Sequence, residues 1–199
     1  MAPDDPSQDP RPALRADARD DRLIEHRLDS ERVFEGRLLD VRRDRVRLPD
    51  GSTATREYIV HPGAVLVVPM LDDARVVVVR QFRYPNNAVF VEFPAGKIDA
   101  GEPPALTAQR ELREETGYVA AQWTCVGRIH AVVSYSTEAI ELYLARGLTQ
   151  VGAALDHGEF LEVDAMRLDE LFDAADRGTV TDAKTIATLY HLARMQQRR

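Results

Sequence analysis

Residues 96–117 read GKIDAGEPPALTAQRELREETG, and this stretch decides how the rest of the chain is interpreted. Two prolines suit the first turn of a helix, and the closing glycine suits its end. On that helix Glu111, Glu114 and Glu115 are spaced i, i+3 and i+4, so their carboxylates project from one face and repel one another. A hard divalent cation between them would relieve the repulsion. Mg²⁺ is the expected ion, with Mn²⁺ as the alternative.

A solvated helix face is the other interpretation of these glutamates, with Arg110 and Arg113 balancing them through pairs between neighbouring turns. The surrounding spacing favours the metal site, because glycines bracket the segment and Glu102 lies just before the first full turn. The complete pattern, G-x5-E-x7-R-E-L-x-E-E-x-G, is matched at every specified position from Gly96 to Gly117. It resembles the Nudix box.

The resemblance implies a role for each charged position of the box. The metal site would use Glu111 and Glu115 as main ligands, Glu114 and Glu102 in support, and the backbone carbonyl of Ala95. Arg110 would pair with Glu102 and hold the box together, and we count Arg110 and Glu114 among the catalytic residues. Metal ions held there would neutralise a diphosphate and lower the pKa of a bound water, which then serves as the nucleophile.

The wider sequence, from about Phe34 to Leu192, is similar to the ADP-ribose pyrophosphatase branch of that family. The similarity lies in Arg56-Glu57 with His61-Pro62-Gly63-Ala64-Val65, in Val79 to Pro85, in Glu92-Phe93-Pro94-Ala95-Gly96 and in Asp182-Ala183-Lys184-Thr185. It implies that Arg56, Arg80 and Arg83 contact phosphate or ribose, whose oxygens match guanidinium donors. Glu92 would orient the substrate or an arginine. A structural role is the alternative for each arginine, since Arg80 and Arg83 would point to opposite faces of an unbent strand.

The general base is expected outside the box. By the resemblance it comes from an acidic loop after the later strands, which is here residues 156–162. Glu159 is the favoured base, and Glu162, within an alternating run typical of a strand, is the second candidate. A solvated loop charge is the alternative interpretation of each carboxylate.

A loop beyond the box bears on the choice of substrate. Many ADP-ribose hydrolases have a proline there, whereas residues 132–138 read VVSYSTE. Other nucleoside diphosphate sugars therefore stay open as substrates. Tyr135 is expected either to stack on a base or sugar or to pack as a buried aromatic side chain, and Glu138 is assigned to the substrate site.

Composition limits the other classes of function. Hydrophobic residues make up 44% of the 199 residues and charged residues 30%, as in ordinary globular proteins. A net charge of −7 argues against broad binding to nucleic acid or to anionic membranes. The lone Cys125 excludes an intramolecular disulfide, and no apolar run reaches the roughly 20 residues of a membrane helix. We expect a cytoplasmic protein with a small-molecule substrate.

The order of elements predicts an α+β protein, a Nudix-type α/β/α sandwich with a mixed sheet and an N-terminal β-hairpin. Strands are expected at 34–48, 53–60, 64–70, 76–82, 89–93, 123–133 and 139–145, and helices at 103–116, 168–176 and 181–195. The first two strands and the next two would form hairpins. Leu106 and Leu112 would anchor the first helix, and Thr181 or Asp182 would cap the last. The predicted domains are a disordered tail (1–21), N-terminal strands exchanged between subunits (22–62) and a catalytic domain (63–199).

These expectations combine into a functional hypothesis. The chain would be a Mg²⁺-dependent hydrolase that cuts the pyrophosphate bond of a nucleoside diphosphate sugar, with ADP-ribose giving AMP and ribose 5-phosphate. It would act as a homodimer, by resemblance to its branch. The alternatives are hydrolysis of another nucleoside diphosphate sugar, or a Nudix-fold module that senses a nucleotide without cleaving it.

Overall fold

The computed structural model describes residues 22–71, 74–152 and 160–197, so the predicted disordered tail (1–21) lies outside the described residues. The chain divides into two compact units. Unit 1 contains the described residues up to Pro62 together with Val132–Glu138, and unit 2 contains Gly63–Ala131 and Ala139 onwards.

Unit 1 is built on a three-stranded antiparallel sheet in the order β1-β2-β3. The strands are β1 (His26–Glu35), β2 (Asp40–Arg47) and β3 (Thr53–Val60). The predicted hairpin is present as β2 and β3. The prediction of one strand over 34–48 was wrong, because the chain turns at Gly36, whose N–H donates to the carbonyl of Leu39 at 2.8 Å. β1 was missed because it is mostly solvent-exposed and rich in charge, so its sequence shows no apolar face.

Residues 132–138 bond to the free edge of β3. The amide of Ile59 donates to the carbonyl of Tyr135 at 2.9 Å, and the amide of Thr137 donates to the carbonyl of Ile59 at 3.0 Å. The predicted strand over 123–133 therefore ends earlier, at Ile129, because the chain beyond it takes its hydrogen bonds from β3.

Unit 2 contains two sheets. A four-stranded mixed sheet has the order β7-β4-β9-β8, in which only β4 and β9 are parallel. Its strands are β4 (Ala64–Pro69), β7 (Ala95–Lys97), β8 (Tyr118–Ile129) and β9 (Ile140–Gln150). A three-stranded antiparallel sheet has the order β10-β5-β6, formed by β5 (Arg75–Arg83), β6 (Ala88–Glu92) and β10 (Leu161–Arg167).

The predicted hairpin of 64–70 with 76–82 is wrong. Apart from one isolated bridge between Met70 and Val76, β4 pairs with β7 and β9, whereas β5 pairs with β6 and β10. All six residues of β4 are buried, so both faces of this strand are covered. A short connection between two apolar runs resembles a hairpin in sequence, but burial on both faces is typical of a central strand.

Three α-helices in the described residues complete unit 2: α1 (Pro104–Thr116), α2 (Leu168–Asp176) and α3 (Ala183–Gln196). None of the helices in the described ranges is long and apolar enough to span a membrane. The predicted C-terminal glycine of α1 and the predicted N-cap of α3 at Asp182 are confirmed. Gly117 closes α1 in the left-handed region at φ 73°, and the Asp182 carboxylate caps α3 by accepting from the amide of Thr185 at 2.9 Å.

Two apolar clusters lie on opposite faces of β4. On one face Val65 and Val67 pack with Ala108 and Leu112 of α1. On the other face Leu66 and Val68 join residues of β5, α2 and α3. The alternation along one buried strand therefore places α1 on one side of the mixed sheet and the remaining elements on the other, which confirms the predicted α+β class.

The two leucines predicted to anchor α1 differ in burial. Leu112 is fully buried, whereas Leu106 is 53% exposed, so the prediction for Leu106 was wrong. Thr107 and Ala108 occupy the buried positions of that turn instead.

Leu112→Ala is expected to lower the free energy of unfolding by about 2–5 kcal/mol, because it leaves a cavity under α1. Leu106→Ala removes the same atoms from an exposed position and is expected to change the free energy of unfolding by less than about 1 kcal/mol. Urea unfolding of both variants measures the difference. Equal losses would contradict the packing described for α1.

Candidate active site

The Arg110 guanidinium holds three carboxylates of the acidic segment. Its Nη2 lies 3.0 Å from Glu102 Oε2, and its Nη1 lies 2.7 Å from Glu111 Oε1 and 3.1 Å from Glu114 Oε2. It also donates to the backbone carbonyl of Lys97 at 3.2 Å. The predicted pairing of Arg110 with Glu102 is therefore present in the structure, and the same cation offsets the repulsion among the glutamates of α1.

The ionisation of this cluster follows from its hydrogen bonds. Those from Arg110, and then from the Thr107 hydroxyl at 2.8 Å, lower the pKa of Glu102 to about 2. The bond with Glu102 raises the pKa of Arg110 above its ordinary value. Both groups therefore carry their charges at neutral pH.

The carboxylates of Glu111 and Glu115 both lie against strand β7, at Gly96 and Ala95. A Cβ atom placed on Gly96 would lie 1.9 Å from the carboxyl carbon of Glu111, so only glycine leaves space for that side chain as it stands. Glu115 is 6% exposed, and its Oε2 accepts from the amide of Ala95 at 3.2 Å. The pattern therefore requires glycine at its first position, Gly96, because a side chain there would clash with the Glu111 carboxylate.

These groups fit a hard divalent ion. Glu111 and Glu115 supply carboxylate oxygens beside the Ala95–Gly96 backbone, and Mg²⁺ is typically bound by one or two carboxylates, with waters and substrate phosphates as its other ligands. In residues 22–71, 74–152 and 160–197, no three acidic, histidine or cysteine side chains converge closely enough to hold a metal by themselves. The four-glutamate ligand set and the Ala95 carbonyl therefore stay predictions, and the carboxylates of Glu111 and Glu115 are the two that this geometry brings to the same stretch of backbone.

A second charged cluster surrounds the buried carboxylate of Glu92, which is 2% exposed. Arg83 donates to it through Nε at 2.8 Å and Nη2 at 2.7 Å, and Lys184 donates to the same carboxylate. Burial acts to raise the pKa of Glu92, but the two cations outweigh it and the pKa is lowered. The hydrogen bonds with Glu92 raise the pKa of Arg83. Glu92 thus orients an arginine, one of the two roles predicted for it.

Lys184 was not among the predicted site residues. Its Nζ also lies 2.9 Å from Asp182 Oδ1, so it links Glu92 to the cap of α3. A lysine in the first turn of a helix opposes the helix dipole. Its position in the sequence was therefore a signal that a nearby anion compensates for it.

Arg80 and the predicted base Glu162 are cross-strand partners. They lie opposite each other in the register of β5 and β10, and Arg80 Nη1 is 2.7 Å from Glu162 Oε2. Both side chains are substantially exposed, which makes this a weak ion pair. Arg80 and Arg83 therefore engage different carboxylates. The favoured base, Glu159, lies outside the described residues.

The other predicted substrate residues lie in unit 1. Arg56 forms a two-point ion pair with Glu25, at 2.8 Å through Nε and 2.5 Å through Nη2. Glu138 lies 3.7 Å from the His61 imidazole. Tyr135 is 55% exposed, so a fully buried packing role is wrong for it. Arg56 and Tyr135 line one cavity of about 200 Å³, whereas Glu138 does not line it.

Comparison with known proteins identifies the family to which this chain is similar. Residues 60–189 match the NUDIX domain model, and residues 25–59 match the model of the nucleoside diphosphate sugar hydrolase N-terminal domain. Hydrolases with a Nudix domain generally use divalent metal ions.

Individual relatives agree with the family models. The chain is 37% identical to the methanol dehydrogenase activator of Bacillus methanolicus, over 84% of this chain and 92% of that protein. It is 36% identical to the ADP-ribose pyrophosphatase of Bacillus subtilis, over 85% and 93%. A crystal structure of an ADP compounds hydrolase shares the fold with a TM-score of 0.78 at 23% identity, covering 87% of this chain and 94% of that one. With a domain model that matches well over half of its length, this chain belongs to the Nudix family.

Proposed function

We propose that this chain is a Nudix pyrophosphohydrolase that cuts ADP-ribose into AMP and ribose 5-phosphate. The observation that carries the proposal is the convergence of the Glu111 and Glu115 carboxylates on Ala95 and Gly96 of β7, since anionic oxygens grouped in this way support a cation that bridges to a diphosphate. The N-terminal match to nucleoside diphosphate sugar hydrolases supports a substrate of that class. The relatives named as ADP-ribose pyrophosphatases support ADP-ribose within it.

Mg²⁺ is the ion we assign to Glu111, Glu115 and the Ala95 carbonyl, with Mn²⁺ as the alternative. A divalent ion bound there supplies charge neutralisation and a water of lowered pKa. Arg110 contributes by holding the carboxylates of Glu111 and Glu114 in position.

Arg83 is the side chain that we assign to the diphosphate. Glu92 holds one edge of its guanidinium, while 40% of the side chain stays exposed. The raised pKa keeps Arg83 cationic, and it lies within electrostatic reach of Glu115. A guanidinium fixed in this way loses little conformational freedom when it binds phosphate oxygens.

The proton acceptor in our proposal is Glu159, with Glu162 as the second candidate. The chosen carboxylate takes a proton from the attacking water as the water oxygen bonds to phosphorus and the pyrophosphate bond breaks. Glu162 would first have to leave Arg80, to which it is hydrogen-bonded.

The test of this function is a hydrolysis screen with product identification. With Mg²⁺, ADP-ribose is expected to be cleaved to AMP and ribose 5-phosphate faster than ADP-glucose, GDP-mannose, NADH or diadenosine polyphosphates.

Glu115→Gln is expected to reduce kcat at least about 100-fold with little change in folding, because it removes an anionic oxygen beside the metal. Loss of activity in Glu159→Gln but not in Glu162→Gln identifies the base. Binding of these nucleotides without any product would support the sensing module instead.

Gly96→Ala tests the steric role of the first glycine. The added methyl group occupies the place of the Glu111 carboxylate, a flexible group that can move aside, so the fold is expected to persist while the metal site is displaced. The expected result is a weaker response of activity to Mg²⁺ and a kcat lowered at least about 10-fold. Leu106→Ala, a substitution at an exposed position of α1, is the control for the effect of a substitution alone. Unchanged activity in Gly96→Ala would contradict the placement of Glu111.

We also propose that the protein is a homodimer joined through β1. This strand lies at the edge of the sheet of unit 1, and apolar side chains on it and in the following turn are exposed. They are Leu28, Val33, Phe34, Leu38 and Leu39. Exposed apolar side chains beside an open strand edge are features that a second chain would cover.

Light scattering after gel filtration is expected to give twice the monomer mass. Replacing Phe34 and Leu38 together by Ser is expected to shift the protein to a monomer, because it removes the largest exposed apolar groups of that edge. Leu106→Ser, at an exposed position of α1, should leave the mass unchanged. A monomeric wild-type protein would exclude the dimer.

A further inference from the structure

Lys184, in the first turn of α3, has no role in the reaction proposed above. Its side chain is 17% exposed, and its Nζ contacts two carboxylates. It donates to Glu92, and it lies 2.9 Å from Asp182 Oδ1. A lysine held in this way gives up side-chain freedom and hydration, so its charge serves the groups around it rather than solvent.

Hydrogen bonds that do not involve Lys184 join the start of α3 to the end of β6. The amide of Phe93 donates to Thr185 Oγ1 at 3.2 Å, and the Thr185 hydroxyl donates to Asp182 Oδ2 at 2.7 Å. Thr185 is fully buried, so these bonds are shielded from water. They hold the helix beside Glu92, and Lys184 adds its charge to an attachment that already exists.

The charges around Glu92 balance only when Lys184 is included. Arg83 and Lys184 are the cations here, and Glu92 and Asp182 are the carboxylates that they face. The pKa of Arg83 is raised first by its hydrogen bonds with Glu92, and the negative charges of Glu115 and Asp182 add to the increase. Without Lys184, the carboxylates around Arg83 would outnumber the cation.

This balance decides how strongly Arg83 attracts an anion from outside the chain. Its Nε and Nη2 bond to Glu92, which does not engage Nη1, and 40% of the side chain is exposed. A diphosphate approaching Arg83 is repelled by the carboxylates behind it, and a second cation that neutralises them reduces this repulsion.

We propose that Lys184 is a positioning residue for the diphosphate. It compensates Glu92 and thereby leaves the charge of Arg83 available to phosphate oxygens. This inference rests on the proposed function, in which Arg83 is assigned to the diphosphate. It adds a residue that acts on the substrate through two others, Glu92 and Arg83, without contacting it.

The test is calorimetric titration of the full chain in EDTA, which prevents turnover and removes any contribution from metal. ADP-ribose, ADP-glucose and GDP-mannose are the probes, because all three carry the diphosphate. Lys184→Gln keeps a hydrogen-bond donor near Glu92 but removes the positive charge, so it is expected to raise Kd roughly 10-fold. A protein that is only partly folded would instead lower the stoichiometry at unchanged Kd. Unchanged Kd in Lys184→Gln, or a wild type that binds none of the probes, would overturn the proposal.

Glu92→Gln shows whether Lys184 acts through this carboxylate. Once residue 92 is neutral, its charge no longer needs compensation, so adding Lys184→Gln is expected to change Kd by less than about 2-fold. A further loss of roughly 10-fold in the double variant would overturn the proposal, because Lys184 would then attract the substrate directly. The double variant has no uncompensated carboxylate at position 92, so this comparison decides the matter even if Lys184→Gln alone does not fold.

Arg194→Gln is the matched control for the loss of one positive charge from α3. Arg194 is an exposed side chain in the last turn of the helix, where it bonds to Gln197. Its replacement is expected to leave Kd within about 2-fold of the wild-type value. A loss as large as that in Lys184→Gln would overturn the proposal, because net charge rather than the position of Lys184 would then set the affinity.

The two proposals fail separately. If the probes bind with the expected dependence on Lys184 but none is cleaved in Mg²⁺, the proposed reaction fails and the role of Lys184 stands. If ADP-ribose is cleaved while Lys184→Gln binds it as tightly as the wild type does, the reaction stands and the role of Lys184 fails.

Discussion

The repulsion among carboxylates on α1 is the constraint on which the rest of the active site depends. Several glutamates within two turns of a helix cannot be brought together without compensating positive charge. Arg110 supplies it in the structure by bonding to Glu102, Glu111 and Glu114 at the same time. Glu115 is largely buried, and its carboxylate accepts a hydrogen bond from the amide of Ala95. The acidic cluster is therefore held by one arginine and one backbone amide.

The geometry of this cluster in turn depends on the packing of β4. Alternate residues of this strand face α1 on one side and the second sheet with α2 and α3 on the other. The pairing of β7 with β4 fixes the position of Ala95 and Gly96, and the burial of Leu112 fixes α1 beside them. Two elements that are close in sequence are thereby held at a separation that admits a carboxylate but not a methyl group on Gly96.

The buried carboxylates of the two units differ in their hydrogen-bond and ion-pair partners. In unit 2 the buried Glu92 has two cationic partners, so its charge is fully compensated and serves to orient Arg83. In unit 1 the equally buried Asp44 accepts from the Tyr58 hydroxyl, and its Oδ1 has no partner within the part of the chain that the structure describes. A fully compensated carboxylate is consistent with positioning a neighbouring cation. The two buried carboxylates thus differ in how far the surrounding protein compensates them.

The sequence alone determined those features whose physical causes are local. The i, i+3, i+4 spacing of the glutamates, the closing Gly117 and the capping Asp182 all act within one or two helical turns. Accordingly α1 ends, and α3 begins, where the sequence predicted. The strand pairing of β4 and β5 was decided by tertiary structure, because an apolar run does not reveal which neighbour covers each of its faces. Lys184 was missed for the same reason. Its importance comes from its ion pair with the buried Glu92, which is distant in sequence, and only the folded chain brings the two side chains together.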